Sequence, residues 1–206
     1  MRTTTPLRRA LITVTATAAV VLTATGTAVA VPVHDAAAAP HTAALALSPL
    51  HSVVGLAAER LATADLVAAA KWGTDSPIDD PAREQQVLDN VAAQAQQLGA
   101  DPDEIRVIFR DQIEANKVVQ RGLFQRWTDH PDQAPTTKPD LTVVRQEINR
   151  ITSALVQALA DTSENRGTVA CRPELALAGL QVHQEDHLDA LHTRALIRAL
   201  PSVCRG

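Results

Sequence analysis

Arg60 and Lys71 stand eleven residues apart in a run that is otherwise almost wholly apolar. On one α-helix that spacing points both side chains within about 20° of each other. Between them lie Leu61, Ala64, Leu66, Val67, Ala68, Ala69 and Ala70. Two cations on one face of an apolar helix call for an anion that the helix itself does not supply. Followed back along the chain, Val53, Leu56, Ala57, Arg60, Leu61, Ala64, Val67, Ala68 and Lys71 form a stripe with 3-4 spacing. The expected helix runs from about Pro49 to Trp72 or Gly73, with Ser48 as its cap. Gly73-Thr74-Asp75-Ser76-Pro77 ends it. Arg83 follows after the turn and opens the next helix. The stretch from Arg60 to Glu84 therefore reads as one wall of a buried, positively charged pocket.

The rest of the chain repeats this helical grammar. Asp80-Pro81 and Asp101-Pro102 each place a capping residue before a proline at the first helical position. The helix after Asp80 carries Arg83, Glu84, Val87, Leu88 and Val91 and ends near Leu98-Gly99. The helix after Asp101 continues through Ile113, Asn116, Val119, Gln120 and Leu123 toward Trp127. Thr128 to Pro139, with three prolines, is a connecting loop. A fourth helix begins at Asp140 and carries Leu141, Val144, Arg145, Ile148, Ile151, Leu155 and Leu159. Ser163 to Arg172 reads as a polar loop bearing Cys171. A last helix is expected from about Pro173 to Leu200, stopped by Pro201. Alanine and leucine supply most of the 46% hydrophobic content while aromatics are 2%, which favours helix over strand. No period-two pattern appears, so the expected class is all-α.

The N-terminus has a different composition. Arg2, Arg8 and Arg9 precede an apolar run from Leu11 to Leu22, and Ala28-Val29-Ala30 gives an A-x-A cleavage signature. Residues 1–30 read as a signal peptide, residues 31–47 as a flexible leader and residues 48–206 as the folded domain. A membrane anchor is the alternative, diluted by Thr13, Thr15, Thr17, Thr23, Thr25 and Thr27. The twin arginine is too weak a match to select an export route. Cleavage would remove three arginines and no acid, taking the formal charge from −4 to −7. A chain that acidic is a poor binder of nucleic acid or anionic membrane. Cys171 and Cys204, an even count in an exported chain, suggest one disulfide; two free thiols are the alternative.

The spacing Arg60-x10-Lys71-x11-Arg83-Glu84, then Asn116-x3-Gln120, resembles the AroQ-type all-helical chorismate mutases. Asp80 to Glu84, D-x-x-R-E, matches as well. The signal peptide, the cysteine pair and the added C-terminal helices resemble the exported gamma subclass. The resemblance runs from about Leu50 to Cys204. It implies one all-α domain of about six helices and a pericyclic rearrangement of chorismate to prephenate without a cofactor. It also implies an exported, secreted or periplasmic enzyme and a homodimer with each pocket inside one chain. Such a reaction needs cations for two carboxylates and donors for one ether oxygen. Carried over, Arg60 and Arg145 would grip carboxylates with guanidinium forks. Lys71 would donate to the ether oxygen and a carboxylate, and Gln120 to the same oxygen from the other side. Arg83 would bind the side-chain carboxylate or brace the pocket. Asp80 and Glu84 would contact the ring hydroxyl or orient the cations, and Asn116 would line the pocket near a carboxylate.

Each residue alone has an ordinary reading. Lys71 at a helix end would snorkel to solvent. Arg60 after Glu59 would be a surface ion pair. Arg83-Glu84 are ordinary charges at a helix start, and Arg145 would be solvated. Asn116 and Gln120 on an apolar stripe are harder to dismiss, because buried amides need partners. Two rival functions remain. One is a secreted all-helical binding protein that has kept the fold without catalysis. The other is a metal carrier built on His183 and His187, one turn apart, with His192 after them.

Overall fold

The computed structural model describes residues 47–205. They form seven α-helices and one short 3₁₀ turn, with no strand among the described residues. The expected signal peptide, residues 1–30, and all but the last residue of the expected leader, residues 31–47, lie outside them. The helices are α1 (His51–Lys71), α2 (Pro81–Gln97), α3 (Pro102–Asp129), α4 (Leu141–Asp161), α5 (Ser163–Arg166), α6 (Cys171–Glu185) and α7 (Ala190–Ala199).

Local chemistry sets the boundaries. Asp80 accepts from the Arg83 N–H at 3.0 Å, and Glu84 reaches back to the Asp80 N–H at 3.2 Å. This is a reciprocal capping box, with Pro81 already fixed at helical φ. Asp101 caps α3 by accepting from the Asp103 and Glu104 N–H groups, and Asp140 caps α4 by accepting from the Thr142 N–H. Gly73 and Gly99 take φ of 66° and 71° just past α1 and α2, where a side chain would be strained. Ser48 is not the N-cap of α1; that position is Leu50, two residues later. Its hydroxyl accepts from the Leu50 N–H and donates to the Glu174 carbonyl at 2.9 Å, tying the entry of α1 to α6.

α1 and α3 are central. α1 packs on α3, α4, α6 and α7, while α3 packs on α1, α2 and α7. Their shared core includes Leu61, Ala64, Ala68, Ile105, Ile108, Phe109 and Val119, all essentially closed to solvent. Small residues let the helices approach. A Cβ on Gly122 of α3 would meet the Leu191 side chain of α7 at 2.5 Å. Trp72, Phe124 and Trp127 stack at 5.1–6.0 Å and close the far end of the α1–α3 contact.

Two expectations for the C-terminal third need correcting. The single last helix is two helices, broken at 186–189. His187 there adopts φ 49°, and Asp189 caps α7 by accepting from the His192 N–H at 2.8 Å. The cap competes with helix continuation because its side chain satisfies an amide that the helix would otherwise have to satisfy. The polar loop at 163–172 likewise holds the one-turn α5. Its Arg166 is 1% exposed. It donates to Glu104, to the Leu159 carbonyl at 3.1 Å and to the Val203 carbonyl at 3.2 Å. That polar stretch is thus part of the interior.

Cys171 and Cys204 form the disulfide, with Cα atoms 5.8 Å apart. It ties the start of α6 to the turn after α7. In the chain-entropy model, closing a loop of this length (sequence separation 33) stabilises by ~3–4 kcal/mol. His187 stands outside α6, so it shares no helical face with His183. His192 instead bonds Asp189 at 2.8 Å and Asp65 at 3.1 Å. Those two carboxylates hold its imidazole in the charged form, pushing its pKa up to about 9.

Candidate active site

Four helices enclose one cavity of about 140 Å³, on the order of ten times what a single water needs. Each wall is drawn from one helical stripe. α1 contributes Arg60, Val67 and Lys71, and α2 contributes Arg83, Glu84 and Val87 behind its cap Asp80. α3 contributes Ile113, Asn116, Lys117 and Gln120, and α4 contributes Leu141, Arg145 and Ile148. Ile78, in the turn between α1 and α2, completes the lining. Spacings of three, four, seven and eleven residues are what a single helix face allows. All eight polar residues singled out from the sequence line this one cavity within one chain.

The cavity is strongly cationic. Arg60, Lys71, Arg83, Lys117 and Arg145 face only two carboxylates, Asp80 and Glu84. No carboxylate among the described residues lies within 4.0 Å of Arg60, Lys71, Arg83 or Arg145 in an ion pair. Arg60 is the extreme case. It is 5% exposed, donates to the Gln112 backbone carbonyl at 3.2 Å and sits 5.8 Å from the centre of the Phe109 ring. Its Nε is buried with no partner. Burial pushes its pKa down to about 10, so it stays charged at neutral pH. The surface pairing with Glu59 does not form; Glu59 pairs with Arg150 instead.

Lys71 donates to the Pro77 carbonyl at 2.8 Å and keeps two further N–H donors. Burial holds its pKa below the ordinary lysine range. Asp80, Asp79 and Glu84 pull it back up, and Arg145 pushes it down. Among the described residues the Arg83 guanidinium hydrogen-bonds Gln86 alone, at 3.2 Å. Arg145 is more exposed than the others and forms part of the rim.

The two amides form a chain. Gln120 donates to Asn116 at 2.8 Å, and Asn116 donates to the Arg60 carbonyl at 3.5 Å. Gln120 is 4% exposed and its Oε1 is buried without a partner. One N–H of its amide remains free to donate. The sequence reading omitted Lys117, which is 7% exposed. Val67 belongs to the stretch expected as a pocket wall, whereas Val87, Ile113, Leu141 and Ile148 were expected only as helix stripe positions and Ile78 was not singled out; together they form the apolar walls. The available signal for Lys117 was its i, i+3 relation to Gln120, which puts the two on neighbouring parts of one face.

A buried cation without a counter-ion, three more around it, unspent amide donors and greasy walls make a receptacle for a compact organic polyanion. Comparison with known proteins agrees with that chemistry. Residues 51–121 match the family model described as chorismate mutase type II. The chain is 38% identical over 166 residues to the secreted chorismate mutase of Mycolicibacterium smegmatis, covering 81% of this chain and 92% of that one. It is 33% identical over 159 residues to the secreted chorismate mutase of Mycobacterium tuberculosis, covering 77% and 80%. The crystal structure of chorismate mutase from Burkholderia phymatum superposes with a TM-score of 0.74 at 35% identity, covering 77% of this chain and 98% of that one. The chain belongs to the chorismate mutase type II family.

Proposed function

We propose that this protein is an exported chorismate mutase that rearranges chorismate to prephenate in the α1–α4 cavity. The observation that carries the reading is Arg60, a buried cation with no counter-ion, at the floor of a cavity holding three further unpaired cations. A flexible dianion bound there is held compact, and that positioning is most of what a pericyclic step needs. Arg60 and Arg145 grip the carboxylates. Lys71 and Gln120 donate to the ether oxygen as its carbon–oxygen bond breaks and negative charge develops. Arg83 steadies the side-chain carboxylate, Asn116 positions Gln120, and Asp80 orients the guest from the rim. No proton is transferred. The secreted relatives and the basic–apolar–A-x-A N-terminus support a place outside the cytoplasm.

The test follows chorismate disappearance by ultraviolet absorbance across pH. Gln120 donates at any pH, so we expect kcat to be nearly flat from about pH 5 to about pH 8. Absence of turnover would leave the rival reading, a binding protein on the same fold. A steep loss between about pH 5 and 7.5 in folded protein would remove Gln120 from the ether oxygen.

The same reading includes signal-peptide removal near residue 30, a leader to residue 47, a catalytic domain from residue 48 and a homodimer of self-contained pockets. All the site residues coming from one chain support a self-contained pocket; the dimer rests on the family resemblance. Intact mass and sedimentation velocity of the exported protein test both. A chain still carrying its first 30 residues overturns the cleavage, and a monomer overturns the dimer.

A further inference from the structure

The acids beside the cavity are not free. The Lys117 ammonium lies 2.8 Å from Glu84 Oε1, 2.9 Å from Glu114 Oε1 and 3.1 Å from Asp79 Oδ1. Burial alone would lower the pKa of Lys117. Hydrogen bonds to Glu84, Glu114 and Asp79 outweigh it and hold the ammonium above the ordinary range. Its three donors are matched to three carboxylates, which leaves none for a guest. One turn on, Arg121 grips both oxygens of Asp79 at 2.7 and 2.8 Å. The two cations of α3 therefore fasten the Asp79–Glu84 segment at the cavity mouth.

The three acids differ in their dependence on Lys117. Asp79 is 55% exposed and keeps Arg121; Glu114 is 33% exposed. Water and Arg121 would compensate these two if Lys117 were lost. Glu84 is only 16% exposed, and its other hydrogen bond is the weak one from the Asp80 N–H at 3.2 Å. A carboxylate left so enclosed, on the wall of a pocket for a polyanion, would repel the guest directly. The other charged groups facing that region are Lys71 from α1, Arg83 and Asp80 from α2 and its cap, and Arg145 from α4.

We propose that Lys117 is a positioning residue: it neutralises Glu84 and pins that carboxylate against the wall, so that the pocket stays net cationic toward its guest. The proposal rests on the chorismate mutase reading of the site. It requires that the cost of losing Lys117 runs through Glu84.

The experiment compares Lys117→Met in two backgrounds, wild type and Glu84→Gln, with wild-type turnover of chorismate as the control. In the wild-type background KM should rise about tenfold to a hundredfold, the scale of one uncompensated like charge at an interface, with a smaller change in kcat. In the Glu84→Gln background the same substitution should cost less than about threefold, because no charge remains to neutralise. Lys117→Arg should restore KM to within about threefold of wild type. Equal losses in both backgrounds would mean that Lys117 only fills space, and would overturn the proposal. So would an unchanged KM in Lys117→Met. Lys117→Gln, a smaller packing change, gives the same comparison if Lys117→Met fails to fold. If wild type itself does not turn over chorismate, the reading of the site fails rather than this coupling.

Discussion

Lys71→Ala is expected to lower kcat by at least about a hundredfold, the scale of losing one preorganised donor to a developing oxyanion. The geometry supports a large effect. One N–H of the ammonium is anchored on the Pro77 carbonyl at 2.8 Å, which aims the other two into the cavity. The lysine is only partly exposed, and burial already disfavours its charge. An ammonium so placed interacts more strongly with charge that appears only during bond breaking. The loss should therefore fall on kcat more than on KM. Circular dichroism must show an unchanged helix content, because Lys71 also tethers the turn after α1. A loss of tenfold or less would remove Lys71 from the reacting atoms and return it to a snorkelling helix end.

Arg60→Met should move activity and stability in opposite directions. We expect kcat/KM to fall about a hundredfold to a thousandfold, the range for removing one partner of a buried, hydrogen-bonded charge pair. Stability should rise by ~1 kcal/mol, or a few degrees in Tm. The sign follows from linkage. Burial sets the folded-state pKa at about 10, below the ordinary arginine value. The unfolded chain therefore holds the proton more tightly. At neutral pH the charged guanidinium opposes folding, and that penalty fades only as pH climbs past about 10. Methionine removes the penalty and fills much of the same volume. The lost contacts are the 3.2 Å hydrogen bond to the Gln112 carbonyl and the stacking on Phe109, which together are worth less than a buried unpaired charge. A clear drop in Tm, with activity retained, would mean that Arg60 serves the core and not a guest.

Both predictions concern residues whose relation is legible in the sequence, because they share one helix. The relation between Arg60 and Lys71 is fixed by helical geometry alone. So are those of Asp80, Arg83 and Glu84 and of Asn116 and Gln120. The capping box at Asp80–Glu84 also explains why the D-x-x-R-E string has a folding role besides its place in the site. The break between α6 and α7 was less visible. No proline or glycine marks it, and the choice between continuing a helix and recapping at Asp189 is a small difference between two satisfied backbone arrangements. The inward Arg166 was invisible for a similar reason. Its burial depends on Glu104 and on carbonyls at Leu159 and Val203, 62 and 37 residues away at the extremes.

By itself the chain determined an all-helical domain, the starts of α2, α3 and α4, and the residues of each cavity wall, since caps and helical periodicity act within a few residues. Only tertiary structure decided that Arg60 has no counter-ion while Lys117 has three. Whether a charge is paired depends on which side chains of other helices come within hydrogen-bonding reach, and how much that matters depends on the water that packing excludes.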